Sequence, residues 1–218
     1  MPVTIIDERP SAALTVRATV LFADLRGYTA LAERLPPLTV VALLEEFFAL
    51  LADSVERDGG TVFHSAGDSI MAGFGVGEPG PESEAAAFIA GRRIVAGFAP
   101  VSERWRSRHG VLTGVGVGVH AGELALAELG PAAFRRRTLI GDTVNVAARL
   151  CQRARAGEVL LSAGIADRLD PGAAREVIAL PDLSVRGRDG RVRIFCVPAR
   201  QRQLVERPPP AAGPLSLR

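Results

Sequence analysis

The sequence predicts an α+β sandwich, with helices packed on one largely antiparallel sheet. Three observations carry that expectation. Short, nearly all-apolar runs end in charges or glycines, as buried strands do. Longer stretches repeat their apolar residues at helical spacing. A pair of strand-like runs flanks Ala66-Gly67-Asp68, which reads as a β-hairpin with an acid at its tip.

Taken in order, residues 18–24 (ATVLFAD) read as a central strand. The turn LRGYT leads into a short helix that Pro36-Pro37 should break. In the longer helix that follows, Val40, Leu43, Leu44, Phe47, Leu51 and Val55 share a face while Glu45 and Glu46 point elsewhere. Asp58-Gly59-Gly60 ends it. TVFHS and SIMAGF form the hairpin, residues 76–83 a loop, and Glu84 to about Arg108 a second long amphipathic helix. GVGVGVH (114–120) and ELALAEL (123–129) read as two strands of a second hairpin, the alternating glycines marking close approach to a neighbour. Asp142 is placed to cap a helix running to about Arg155, with Gly157 beyond its end. EVLLS (158–162) and RVRIFCV (191–197) complete the strands. Residues 1–14 read as an N-terminal tail, 15–197 as one continuous domain, and 198–218 as a flexible Pro/Arg-rich tail.

The bulk figures suit that organisation. In a chain of 218 residues, 48% are hydrophobic and 23% charged, the balance of a soluble domain. The apolar runs are broken by Gly, Arg or Asp, so no membrane span is expected. Cys151 and Cys196 lie far apart in no metal-ligand spacing, which points to a reducing, cytoplasmic setting rather than a disulfide scaffold or zinc site. Net charge is +2, and all 26 basic residues are arginine. The densest groups, Arg135-Arg136-Arg137 and Arg104, Arg106 and Arg108, lack interleaved aromatics and read as solvated faces or phosphate contacts, not a nucleic-acid surface. Trp105, set among Arg and Ser, is expected to be partly exposed, and His109 to lie in a charged loop.

Two acids carry the first chemical signal. Asp24 ends a buried strand and Asp68 tips a hairpin, so both can project from one edge of the sheet and bind a hard divalent cation, Mg²⁺ or Mn²⁺. Directly after Asp24, the turn formed by Arg26, Gly27, Tyr28 and Thr29 opens a helix whose free amides favour phosphate. Each acid alone would more often be a cap or a turn residue; together they suggest a metal–triphosphate site.

The second signal is DTVNVAARLCQRAR. Val144, Ala147, Ala148 and Cys151 are expected to face the core, with Asn145 and Arg149 on the neighbouring stripe. An amide and a guanidinium so placed can hold a ribose and a phosphoryl group; an isolated pair would more often be a polar surface.

FADLRGYT, HSAGDSIMAGF, GVGVHAGE and TLIGDTVNVAARL, in this order, closely resemble the motifs of class III nucleotidyl cyclase catalytic domains, over about Thr15 to Val197. The resemblance implies a ferredoxin-like sandwich and a head-to-tail homodimer with composite sites. By it, Asp24 and Asp68 of one subunit hold two divalent cations, with the Leu25 carbonyl as a further ligand. Asn145 orients the ribose and Arg149 stabilises the transition state, both from the other subunit. The base-recognition positions fall at His64 and Thr138, also from the second subunit, and Arg186 or Arg188 contacts the terminal phosphates. The implied function is an adenylate cyclase making 3′,5′-cyclic AMP and pyrophosphate from ATP, with no protein residue standing out as general base.

One position departs from that pattern. His64 stands where adenylyl members usually carry lysine, while Thr138 fits a common adenylyl variant. A neutral imidazole can donate to adenine or accept from guanine, depending on its tautomer. It also brings the possibility of turnover that varies with pH near neutrality. A guanylate cyclase and an inactive homologue that only dimerises or binds nucleotide therefore stand as alternatives. A diguanylate cyclase is disfavoured, because AGDSI occupies the hairpin where that family's Gly-Gly-acidic-acidic-Phe signature would lie. GVGVGV has the wrong spacing for a dinucleotide fingerprint, and His120 has no accompanying ligand and reads as structural.

Overall fold

Residues 13–77, 82–184 and 190–198 are described by the computed structural model. Apolar alternation builds one eight-stranded sheet from β1 (Ala13–Arg26), β2 (Thr61–Ala66), β3 (Ser69–Phe74), β4 (Gly114–Leu129), β5 (Arg136–Ile140), β6 (Val159–Ser162), β7 (Ile178–Ser184) and β8 (Arg191–Val197). Its order is β2-β3-β1-β4-β6-β8-β7, with β5 paired to the far half of β4. Every pairing is antiparallel except β4 with β6.

Strand parity then divides the interior. Leu21, Ala23 and Leu25 of β1 and Val115, Val117 and Val119 of β4 face α2 (Pro37–Arg57) and α3 (Ser83–His109). In that layer Phe47, Phe98 and Trp105 stack edge to face, with ring centroids 5.2 and 5.3 Å apart. Alternate residues on the other face meet α4 (Asp142–Arg153), which wedges Val146 and Leu150 against β6 and β8 and Ala147 against β1 and β5. Among the described residues, the short helices α1 (Tyr28–Arg34), α5 (Ala163–Ala166) and α6 (Pro171–Ala174) and a 3₁₀ turn at Ala132–Phe134 complete the fold. By length and composition α3 could cross a bilayer, but here it is a core helix that buries Ala87, Phe88, Ile94, Phe98 and Trp105.

Gly114, Gly116 and Gly118 form a track beneath α4 and the chain that leaves it. A Cβ on Gly118 would lie 2.1 Å from the Cys151 amide nitrogen and 2.5 Å from the Ala147 carbonyl oxygen. Both are helix backbone atoms, so the helix would have to move. Gly118→Ala is expected to cost about 2 kcal/mol or more, seen as a fall in Tm of about 4–8 °C in thermal denaturation. A variant as stable as the parent would show that α4 can lift without cost.

The structure corrects several expectations. Residues 114–120 and 123–129 are one continuous strand, not a hairpin, because β1 pairs with β4 along its whole length. Gly122 is there for clearance, since its Cβ would meet the Thr143 hydroxyl at 2.5 Å. β1 begins at Ala13, inside the segment read as a tail. Trp105 is only 2% exposed, and its indole N–H donates to Glu46 at 2.8 Å. That bond, with the Arg104 ion pair, holds the Glu46 carboxyl below its usual range. His109 is the last residue of α3 rather than part of a loop. Asp142 is the first helical residue, not the cap; Gly141 precedes it, and Asp142 complements the helix dipole from the first turn. The buried stripe of α4 is Thr143, Val146, Ala147, Leu150 and Cys151, with Val144 and Ala148 only half-buried.

Both cysteines are free and buried. Burial pushes the Cys151 thiol up to about 12 and Cys196 up to about 11, so neither is poised for thiolate chemistry.

Candidate active site

Asp24 lies near the end of β1, level with Ser69 of β3 on one side and Gly116 of β4 on the other. Asp68 sits in the β2–β3 turn, where its carbonyl accepts the Leu25 amide at 3.0 Å. That bond fastens the hairpin tip to β1 immediately after Asp24 and sets the Asp68 carboxyl where it feels the charge of Asp24. The Asp68 carboxyl is held above its ordinary range, first by burial and then by the negative charge of Asp24. Two carboxyls in such conflict are an oxygen site suited to a hard cation. Among the described residues no group of three or more His, Cys, Asp and Glu converges. A metal here would therefore draw its remaining ligands from main-chain, water or substrate oxygens, the Leu25 carbonyl being the nearest in sequence.

Arg26 follows Asp24 on the same strand face, because side chains alternate along a strand. Its Nη1 pairs with Asp24 Oδ2, its Nη2 donates to the Cys151 carbonyl, and its Nε donates to the Ala154 carbonyl at 3.0 Å. The guanidinium thus closes the C-terminus of α4 and serves as counter-ion to Asp24. This link escaped the sequence reading, which grouped Arg26 with the turn. The signal that would have found it is the period-2 spacing of Asp24 and Arg26, once the strand is seen to run through Arg26.

Gly27 takes a left-handed conformation (φ 86°), and a Cβ there would lie 2.4 Å from the Leu112 carbonyl oxygen. Only glycine fits this passage from strand to helix. Gly27 and Thr29 are exposed, and Tyr28 packs its ring against the core. Asn145 and Arg149 are exposed on α4, and Arg149 Nη1 donates to Gln152 Oε1 at 2.8 Å. His64 is exposed on β2 opposite Met71, beside a bulge at Phe63. Thr138 is half-buried on β5 opposite Ala127. Phe63, Leu139 and Val76 all crowd around Gly73 in one apolar cluster, so the strands carrying His64 and Thr138 are neighbours. Arg186 and Arg188 lie outside the described residues. His120 Nδ1 is hydrogen-bonded to the Ser162 hydroxyl at 2.7 Å, a tie between β4 and β6.

The sequence model described as the Adenylate and Guanylate cyclase catalytic domain matches residues 12–198. An adenylate cyclase of Anabaena cylindrica is 31% identical over 140 residues, 64% of this chain and 28% of its own length. Adenylate cyclase 2 of Rhizobium meliloti is 32% identical over 185 residues, 82% of this chain and 49% of its own length. The chain thus spans less than a third of one relative and about half of the other. The crystal structure of the adenylyl cyclase CyaB from P. aeruginosa superimposes with a TM-score of 0.77 at 25% identity, over 88% of this chain and 98% of that one. The guanylyl cyclase Cya2 shares the fold, with a TM-score of 0.76 at 22% identity over 88% of this chain and 97% of that one.

Proposed function

The chain belongs to the adenylate and guanylate cyclase catalytic domain family, and on that premise we propose that it converts ATP to 3′,5′-cyclic AMP and pyrophosphate at sites shared between two copies. The observation that carries the reading is the convergence of Asp24 and Asp68 at the hairpin tip, beside the glycine-hinged turn into α1. Two divalent cations on these acids and the Leu25 carbonyl would supply Lewis acidity to the ribose 3′-oxygen and to the departing pyrophosphate. The new bond joins O3′ to the α-phosphorus while the bond from the α-phosphorus to the bridging oxygen breaks, pyrophosphate leaves, and the 3′-hydroxyl proton is released to solvent.

The chain's own residues then position and stabilise. Asn145 orients the ribose, and Arg149 meets charge building on the α-phosphoryl oxygens. Gly27, Tyr28 and Thr29 receive the triphosphate at the opening of α1, with Arg186 or Arg188 on its terminal phosphates. Asn145 and Arg149 project into solvent from α4, which suits their service to a second copy's metal half-site. His64 and Thr138 read the base, His64 donating through a ring N–H to adenine N1. The similarity to adenylate cyclases of Anabaena cylindrica and Rhizobium meliloti supports ATP over GTP.

Incubating the chain with Mn²⁺ or Mg²⁺ and either nucleotide, with Asp68→Ala as control, tests the proposal by chromatography of the products. Cyclic AMP from ATP, absent with the control, is expected. Mainly cyclic GMP would overturn the base assignment, and no product from a folded dimer would overturn the enzyme reading. His64→Glu, which offers guanine an acceptor, is expected to lower kcat/KM for ATP by about tenfold or more and to shift preference towards GTP. An unchanged ratio would remove His64 from base recognition.

A further inference from the structure

Arg26 touches both parts of the machinery within one chain. Through Nη1 it holds Asp24; through Nη2 and Nε it holds the Cys151 and Ala154 carbonyls at the end of the helix bearing Asn145 and Arg149. Its seat is built for it. A Cβ on Gly116 would strike Nη2 at 2.6 Å and Nε at 2.8 Å, so the guanidinium fits against β4 only because that strand carries glycine there. About a quarter of the side chain is exposed, so the contact is neither sealed in the core nor a loose surface pair.

We propose that Arg26 is a positioning residue that couples the two active sites of the dimer. The inference rests on the composite-site reading above, in which each chain lends its acids to one site and its α4 to the other. While Asp24 is unneutralised, the guanidinium is shared between that carboxylate and the α4 carbonyls. A cation held by Asp24 would compete with Nη1 for that carboxylate and would leave the charge of Arg26 to the carbonyls at the helix terminus. The carbonyls at a helix C-terminus favour positive charge, so α4 is held more firmly. Loading one site with metal thereby braces the Arg149 that serves the other.

A complementation assay separates the two halves of this claim. Mixing an Asp68→Ala chain with an Arg149→Ala chain leaves the heterodimer one intact site, its acids from the second chain and its α4 from the first. Arg26→Gln placed in the acid-supplying chain is expected to lower the Mn²⁺ concentration for half-activation about threefold or more. Placed in the α4-supplying chain, it is expected to lower kcat about fivefold or more and leave that concentration unchanged. Arg26→Lys keeps a charge for Asp24 but cannot span three acceptors. It should restore the metal dependence and not kcat. Independently of turnover, electron paramagnetic resonance of Mn²⁺ with the nucleotide-free homodimer should show tighter binding to Arg26→Gln than to the parent. An effect confined to one chain, or unchanged Mn²⁺ binding, would overturn the coupling alone. A silent mixture of the two parent variants would overturn the composite-site reading and the coupling with it.

Discussion

Arg149→Ala is expected to lower kcat by about 10²–10³-fold while leaving the nucleotide KM within a few-fold and the fold intact. The side chain is exposed, and its hydrogen bond goes to a neighbour on the same helix, Gln152 at 2.8 Å. Removing it breaks no buried contact, so the stability change should stay within about 0.5 kcal/mol. The rate loss follows from where charge develops. An arginine aimed at the α-phosphoryl oxygens gains strength as the transition state forms, and such an interaction shows in kcat rather than in KM. Steady-state rates at saturating Mn²⁺, beside thermal unfolding of the same samples, decide the matter. A large rise in KM with kcat preserved would make Arg149 a ground-state phosphate contact.

The parts of the fold that sequence made legible are those in which one face is buried and the other is wet. α2 has a single apolar stripe: Val40, Leu43, Phe47, Leu51 and Val55 are buried as its spacing predicts, while Leu44 is only half-buried and Ser54 is buried beside them. The β2–β3 hairpin followed from two apolar runs around Gly67-Asp68. The misreadings have the opposite character. α4 is wedged between two clusters, one holding Ala147 and the other Val146 and Leu150, so a single-stripe reading chose the wrong centre. β5 hides behind Arg136 and Arg137, which pair with Leu129 and Glu128 on a strand that projects beyond the main sheet. β7 contains Pro181 and is largely exposed, as suits the edge strand it forms. At the site, Asp24 and Asp68 were legible because acids at a strand end and a hairpin tip are chemically conspicuous. The role of Arg26 was not. It depends on a contact with carbonyls of Cys151 and Ala154, more than a hundred residues away, and backbone carbonyls leave no trace in sequence.

Asp68→Asn is expected to abolish turnover, by about 10³-fold or more, and to make the metal-free protein more stable. The two effects share one cause. Burial and the charge of Asp24 hold the Asp68 carboxyl above its ordinary range, so the folded chain keeps that proton to higher pH than the unfolded chain does. The sign follows: above the folded value the carboxylate opposes folding in full, and the opposition fades as pH falls towards the unfolded value near 3.8. An amide carries no such charge. At pH 7 the metal-free variant should therefore melt above the parent, and the gap should close towards pH 4, an unperturbed Asp titrating at about 3.9. Mn²⁺ should reverse the order, because a ligand that binds only the folded state stabilises it by mass action. The parent should gain Tm with Mn²⁺ while Asp68→Asn gains little. Melting curves with and without Mn²⁺ across that pH range test both halves at once. A variant that melts below the parent without metal would show that Asp68 supports the hairpin tip in its own right, whereas equal Mn²⁺ responses would take Asp68 out of the metal site. Burial and the conflict between the two carboxyls are a cost that a bound cation would relieve at neutral pH, and its size fixes how much of the metal's binding energy goes to relieving it.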